Sequence, residues 1–383
     1  MFGKQKQLGW WIAIAVAMGL VWASQVSAQK KVKPPPPPSA KLVNLGPGVP
    51  TAMNQLDLFV EIVGHNGAGV GRYWMVDSTG VLMDSFDLAS FPGATGSTTE
   101  AQGINNHGTI VGCHGDPDLG WQSVRPLVWA TPESLPVELP VRDDVYNSGA
   151  SAINDDGLVI GTWYESNGQR SLVAWKLSVS DGIVTVLDSL VIVTAPNVFA
   201  ERTTNSGYVS YTADVSSGGY RAFRLRLIWD ESSQKILEVV GSRSQLFEGH
   251  SEAIGVNEAG TVCGTYRLDS TLMEAFAMTI HGELLVLPQL PGGKTKGKTY
   301  EVRNTCAMAL NNASPVQVVA WADKYFPDSN QMTDDYDVRI TANTSITNLE
   351  DEVSNWVDNS VADINDAGWI IGRTTNGAVV LLP

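Results

Sequence analysis

The sequence predicts an all-β fold, a seven-bladed β-propeller closed by its own N-terminal strand. Three observations predict it: a short phrase recurring about every fifty residues, strand signals in sets of four within each period, and chain ends that complement one another. An open β-solenoid and a six-bladed ring are the alternatives.

The chain opens with Lys4 and Lys6, an apolar stretch from Leu8 to Trp22, and the small residues Val26-Ser27-Ala28. That order is expected of a secretory signal peptide spanning residues 1–28. The apolar core, about 15 residues, falls short of the roughly 20 that a membrane-spanning helix needs. An uncleaved anchor is the rival reading. Residues 29–40 carry five consecutive prolines, Pro34 to Pro38, which favour extended polyproline II and so a spacer. The propeller is expected over 41–383, and the protein is expected to be secreted or periplasmic.

The repeated phrase is a small residue, an aliphatic, Asn, two polar residues, Gly, then a β-branched run ending in Gly. It occurs at 101–112, 150–161, 253–264 and 361–372, with weaker copies around Thr204 and Asn311. The Asn column runs 105, 154, 204, 257, 311 and 365, in steps of 49, 50, 53, 54 and 54. One further step back falls near residue 57, in the stretch Leu56 to Gly64. The phrase reads as a tight hairpin: the Asn side chain folds onto the backbone, and Gly supplies positive φ.

Each unit continues with a third strand carrying an aromatic: Tyr73-Trp74, Val128-Trp129, Ala174-Trp175, Ala222-Phe223 and Ala275-Phe276. These rings are expected to fill the space between blades. Fourth strands are expected at Thr185-Val186-Leu187, Leu285-Val286-Leu287 and Ile346 to Leu349. The last unit stops after its third strand at Ala378 to Leu382, while Lys41-Leu42-Val43-Asn44-Leu45 matches the fourth strand Ser345 to Leu349. An N-terminal strand completing the last blade removes the open edges.

The phrase, with Tyr220-Arg221-Ala222-Phe223 and Glu274-Ala275-Phe276, resembles the HAF-repeat proteins, extracellular bacterial repeat proteins. The resemblance covers nearly all of 41–383, although this sequence lacks the family's histidine before Ala-Phe. It implies export and a repeat architecture, and no activity.

Net charge is −15, moving to −17 if residues 1–28 are removed, since two lysines and no acids go with them. Such acidity disfavours nucleic acid and anionic membranes as partners. No segment after the signal is long and apolar enough to span a membrane. The cysteines, Cys113, Cys263 and Cys306, are read as buried small side chains, with a Cys263–Cys306 disulfide conceivable.

If strands run outward one to four, the second-to-third loops and the blade-to-blade connections share the face opposite the Asn-x-x-Gly turns. The long loops there are 113–122, 162–170, 212–219, 265–273 and 322–335, with connections 240–251 and 291–305. Function concentrates in loops on a rigid scaffold. Candidate ligand-binding residues are Asp116, Asp118 and Trp121, with Tyr164, Tyr325, Asp334 and Asp335. Carboxylates beside aromatics suit sugar stacking with hydroxyl hydrogen bonds; Asp116 and Asp118 also offer a calcium pair, without EF-hand spacing. Lys294, Lys296, Lys298 and Arg303 make a basic loop. No catalytic motif is found: five scattered histidines, no G-x-S-x-G and no H-E-x-x-H. The expected function is a non-enzymatic scaffold binding a protein or a glycan, with no cofactor. A polysaccharide-acting hydrolase or lyase and a purely structural envelope component are the alternatives.

Overall fold

A computed structural model describes residues 41–383 except 55, 93–97, 116–122, 216–218, 268–271, 286, 288–291, 296–297, 330, 343–344, 354 and 358. The strands form seven small antiparallel sheets in a ring, a seven-bladed β-propeller. Blade 1 comprises Val49–Met53, Phe59–His65, Gly71–Asp77 and Leu82–Asp87. Blade 2 comprises Thr98–Ile104, Ile110–Gly115, Arg125–Trp129 and Val137–Glu138. Blade 3 has longer strands, Val145–Ile153, Leu158–Glu165, Arg170–Ser180 and Ile183–Ala195. Blade 4 is built from Val198–Thr203, Tyr208–Asp214, Tyr220–Asp230 and Lys235–Glu238. Blade 5 has Ser251–Val256, Val262–Arg267 and Met273–Met278. Blade 6 has Lys298–Leu310, Gln317–Phe326, Gln331–Thr341 and Ser345–Asn348. In blade 7, Asp363–Ile364, Ile370–Thr374 and Gly377–Leu382 are followed outward by Lys41–Gly46, which runs antiparallel to Gly377–Leu382 with Val43 opposite Val380.

The core is divided among the blade interfaces rather than gathered at the centre. Seven apolar clusters correspond one to one with the seven contacts between neighbouring blades. The aromatics of the third strands fill them as their positions predict: Trp74, Trp129, Trp175 and Phe276 are fully buried. Three of these tryptophans also use their one polar atom alike. Trp74, Trp129 and Trp175 each donate Nε1–H, at 2.9 Å, to the carbonyl of Leu45, Ala89 and Pro140 respectively. A buried indole thus keeps its hydrogen bond while filling the gap.

First strands from all seven blades line a central channel. Six of these strands carry a β-bulge at the same place, at Thr51, Gln102, Ser151, Glu201, Ile254 and Met308, three residues before the Asn column. The bulge explains the glycine that ends the phrase. A Cβ on Gly112 would lie 1.9 Å from the Glu100 carbonyl oxygen, and one on Gly264 1.9 Å from that of Glu252. Only glycine lets the second strand approach the bulged first strand so closely.

Three expectations are corrected. The Asn column in blade 1 is Asn54, not a residue near 57, because the first turn runs to Phe59 without a glycine. Among the described residues blade 5 has three strands; near Leu285-Val286-Leu287 there is only a bridge between Met278 and Leu284 and one bond from Leu285 N–H to the Ala277 carbonyl. The long loops are shorter than expected, since strands run into them: 322–335 is largely the hairpin of Gln317–Phe326 and Gln331–Thr341.

Candidate functional site

At the turn end of the channel the Asn side chains serve two blades at once. Within its own turn, Asn154 Oδ1 accepts from Leu158 N–H at 2.8 Å, the Asx arrangement the sequence predicts. Its Nδ2 donates to the Thr204 carbonyl of the next blade at 2.8 Å. The same inter-blade bond runs from Asn54 to Asn105 (3.2 Å), Asn105 to Asn154 (3.0 Å), Asn257 to Asn311 (3.0 Å) and Asn311 to Asn365 (3.1 Å). The belt is interrupted where Thr204, lacking an amide, faces Asn257, and again between blades 7 and 1, where the buried Asn365 Nδ2 has no partner among the described residues.

A second belt lies outside the first. Asn106 and Asn205 bond to Asp155, Asn205 and Ser206 N–H to Glu258, Glu258 N–H to Asn312, and Asn312 to Asp366. The recess at this mouth, about 260 Å³, is therefore lined by polar side chains that largely satisfy one another.

Deeper in the channel, two residues before each Asn, the column is small: Ala52, Gly103, Ala152, Gly255 and Ala309. Blades 4 and 7 depart from it with Arg202 and Asp363. The guanidinium reaches across to Asp363 Oδ2 at 3.7 Å and also donates to the Thr51 carbonyl at 3.3 Å. Two charges of opposite sign thus join blades three apart, and neither would sit there unpaired without a large cost. Next to Arg202, Glu201 occupies the bulge and is half-buried. Desolvation there, against the pull of Arg202 and with the push of Glu252, raises its carboxyl to about 7.

The long-loop face carries a different arrangement. Tyr146, at the start of the first strand of blade 3, lies edge-on to Tyr164 at 6.5 Å. Arg170, opposite Tyr164 in the hairpin, stacks on it at 4.6 Å and on Phe199 of blade 4 at 5.0 Å. Phe199 meets Tyr220 at 5.7 Å, and Tyr220 meets His250 of blade 5 at 5.6 Å. His250 Nε2 is 3.4 Å from Glu252. All sit at strand ends facing the long loops, so together they form a continuous arc over blades 3, 4 and 5. Tyr146 is exposed and the others are half-buried. Among the described residues Arg170 has no hydrogen-bond or ion-pair partner, so its donors remain available above the rings.

Of the sequence-predicted site residues, Tyr164 belongs to this arc. Tyr325 lies on blade 6 under Arg303, whose guanidinium stacks 3.4 Å from its ring centre. Arg303 in turn lines a recess of about 230 Å³ between blades 5 and 6, with Glu274, Asn304 and Met273. Asp334 and Asp335 lie in the strand Gln331–Thr341 rather than a loop, with Asp335 opposite Asp323. Asp116, Asp118 and Trp121 lie outside the described residues, as does the calcium pair they include. The structure does not gather the rest: Tyr164 is on blade 3, while Tyr325, Asp334 and Asp335 are on blade 6. Among the described residues no group of three His, Cys, Asp or Glu side chains is placed to hold a metal.

Sequence reasoning missed Tyr146, Arg170, Phe199, Tyr220 and His250, which read singly as ordinary strand residues. It also missed Glu201, which carries no signal in the phrase, and Arg202 and Asp363, which do: both break its small-residue column.

No family model matches the chain, and no curated protein matches it. Among solved structures, it is similar to a puromycin hydrolase, at 14% identity over 88% of this chain and 52% of that one, TM-score 0.46. It is also similar to the β-propeller domain of the Trilobed protease from Pyrococcus furiosus, at 9% identity over 79% and 97%, TM-score 0.38. A third is the SapL1 lectin in complex with alpha methyl fucoside, at 10% identity over 79% and 95%, TM-score 0.38. The chain spans about half the length of the puromycin hydrolase, and none of these likenesses bears on its activity.

Proposed function

We propose that the protein is an exported binding scaffold that takes its ligand on the long-loop face. The carrying observation is the contrast between the two faces. Polar side chains on the turn face are mostly tied to one another, whereas the long-loop face carries an arc of partly exposed rings around an uncommitted guanidinium. A rigid ring of blades holds these side chains in place before any ligand arrives, which lowers the cost of ordering them. The basic, apolar and small residues of 1–28 and the resemblance to HAF-repeat proteins support export.

Binding of the purified chain to a glycan array, alongside recovery of partners by pull-down, tests this reading. Loss of the retained ligand on replacing Arg170 and Tyr164 supports it. A ligand retained in full by those variants would place binding elsewhere and refute it. Cell fractionation tests export separately, and a cytoplasmic location overturns that part.

One observation favours the alternative of a polysaccharide-acting enzyme. Glu201, raised to about 7 by desolvation, sits beside Arg202 and within the field of Glu252, and a carboxyl titrating near neutrality suits acid–base work. Turnover of a polysaccharide that disappears in Glu201→Gln would establish it.

A further inference from the structure

Resting on the long-loop face as the binding face, we infer that the arc from Tyr146 to His250 is a track for a neutral, linear glycan. The arc is one ring wide. It steps from Tyr146 to Tyr164, Arg170, Phe199, Tyr220 and His250 at 6.5, 4.6, 5.0, 5.7 and 5.6 Å. A protein partner of ordinary affinity needs a broad patch, about 800 Å² on each side. A narrow line of half-buried rings instead suits a chain that presents flat apolar ring faces in succession, with hydroxyls at their edges.

The polar groups on the arc narrow the class further. Arg170 offers donors with no acceptor among the described residues, and Glu252, beside His250, offers an acceptor at the far end. Sugar hydroxyls satisfy both kinds of group, since each can donate and accept. A polyanion such as a polyuronate would meet a chain of net charge −15, with Glu252 at one end of the track. Neutral sugars carry no such penalty. Arg170 is held between two rings, so its donors are oriented in advance. That makes it the residue expected to fix the register of the bound chain.

Titration calorimetry with neutral gluco- and xylo-oligosaccharides of increasing length, with oligogalacturonate and with an oligoproline peptide, tests this. Expected are binding of a neutral oligosaccharide that tightens with length and then levels off, and a loss of about tenfold in affinity on Tyr164→Ala or Tyr220→Ala. Tyr164→Phe keeps the ring and should restore most of it, which separates stacking from misfolding; Tyr146→Ala, at an exposed position, is a second variant with little reach into the core. A preference for oligogalacturonate, weakened by salt, overturns the neutral class and leaves the binding face standing. Binding of the oligoproline peptide instead, lost in the same variants, overturns the glycan and again leaves the face standing. A glycan bound equally well by all the arc variants overturns both.

Discussion

Replacing Thr204 by Asn should stabilise the protein, because it supplies the amide donor missing from the inter-blade belt between blades 4 and 5. In the intact parts of the belt an Asn carbonyl accepts twice. The Asn154 carbonyl takes Gly157 N–H at 3.1 Å and Asn105 Nδ2 at 3.0 Å. The Asn257 carbonyl takes only Gly260 N–H, at 2.8 Å. An Asn at 204 would supply the missing bond from a backbone frame that already holds Asn at six equivalent positions. A buried neutral hydrogen bond is worth a net 0.5–1.5 kcal/mol, roughly. Losing the Thr methyl removes about one apolar carbon's worth of burial, up to roughly 0.8 kcal/mol. The Asx turn itself survives, since Thr204 Oγ1 now accepts Tyr208 N–H at 3.1 Å and Asn Oδ1 would do the same. The expected gain is about 0.5 kcal/mol. Asn154→Ala is the opposite perturbation. It strands the buried Leu158 N–H and removes one acceptance at the Thr204 carbonyl, at a cost of about 2–4 kcal/mol. Urea unfolding followed by tryptophan fluorescence and by circular dichroism reads both, as shifts in midpoint at constant slope. A Thr204→Asn midpoint equal to or below wild type, with Asn154→Ala costing its full amount, would refute the belt as a source of inter-blade stability. The Asn column would then matter only within each turn.

Three further outcomes follow from the same geometry. The Glu201 carboxyl is raised from 4.5 to about 7 in the folded chain by desolvation. Its proton therefore stabilises the fold fully below the unfolded value, and that contribution is lost as pH rises through about 7. Glu201→Gln should be nearly neutral at low pH and stabilising above neutrality by about 2 kcal/mol, a figure reduced because the residue is only half-buried; melting across pH reads it, and parallel curves for both proteins refute it. A chain beginning at residue 47 loses Val43 and Leu45, 6% and 2% exposed, and the ladder onto Gly377–Leu382. Burial of those two side chains alone is worth about 3–6 kcal/mol, so the shortened chain should melt markedly lower; an unchanged melting temperature would show that this strand does not hold blade 7. Cys263 and Cys306 are buried and free, and burial pushes the Cys306 thiol up to about 12. Native protein should leave both thiols unlabelled by a thiol reagent, and denatured protein should expose them; a disulfide found by mass spectrometry contradicts the geometry.

The repeat was legible because each conspicuous residue in it answers a distinct steric or hydrogen-bonding demand. Asn both closes its own turn and reaches the next blade, so it tolerates few replacements. Gly112, Gly161 and Gly264 face bulged first strands at separations that no Cβ can share. Blade 1 keeps Asn54 and the strand-facing Gly64 but has no turn glycine between Asn54 and Phe59, so the period alone overshoots Asn54. The acidic run Asp334-Asp335 read as loop because Asp is a poor strand former. In the folded chain it extends a hairpin whose Val338 and Ile340 are buried against blade 5, and packing of that end overrides local preference. The fourth strand of blade 5, absent among the described residues, was hidden by the same ambiguity, since Leu285 and Leu287 read as strand but pack as partly buried side chains.

The site was barely legible, and the reason is geometric. Its members are spread from Tyr146 to His250 over three blades, each at a strand end where an aromatic has an ordinary structural explanation. What the sequence does offer is the departure from its own repeat. Six of seven blades keep the Asn column and five of seven the small-residue column, and each exception has a local cause. Blade 4 concentrates the exceptions: Arg202 in the small-residue column and Thr204 in the Asn column. It also carries Phe199, the ring that joins the two halves of the arc. The charge placed in the channel by Arg202 required a counter-charge, and Asp363 on blade 7 supplies it at the matching position. Loss of the belt at Thr204 and gain of a cross-channel pair at Arg202 occur two residues apart, so one blade exchanges a bond to its neighbour for a bond across the ring. A symmetric scaffold acquires a distinct side in this way, and that side is the one facing the arc.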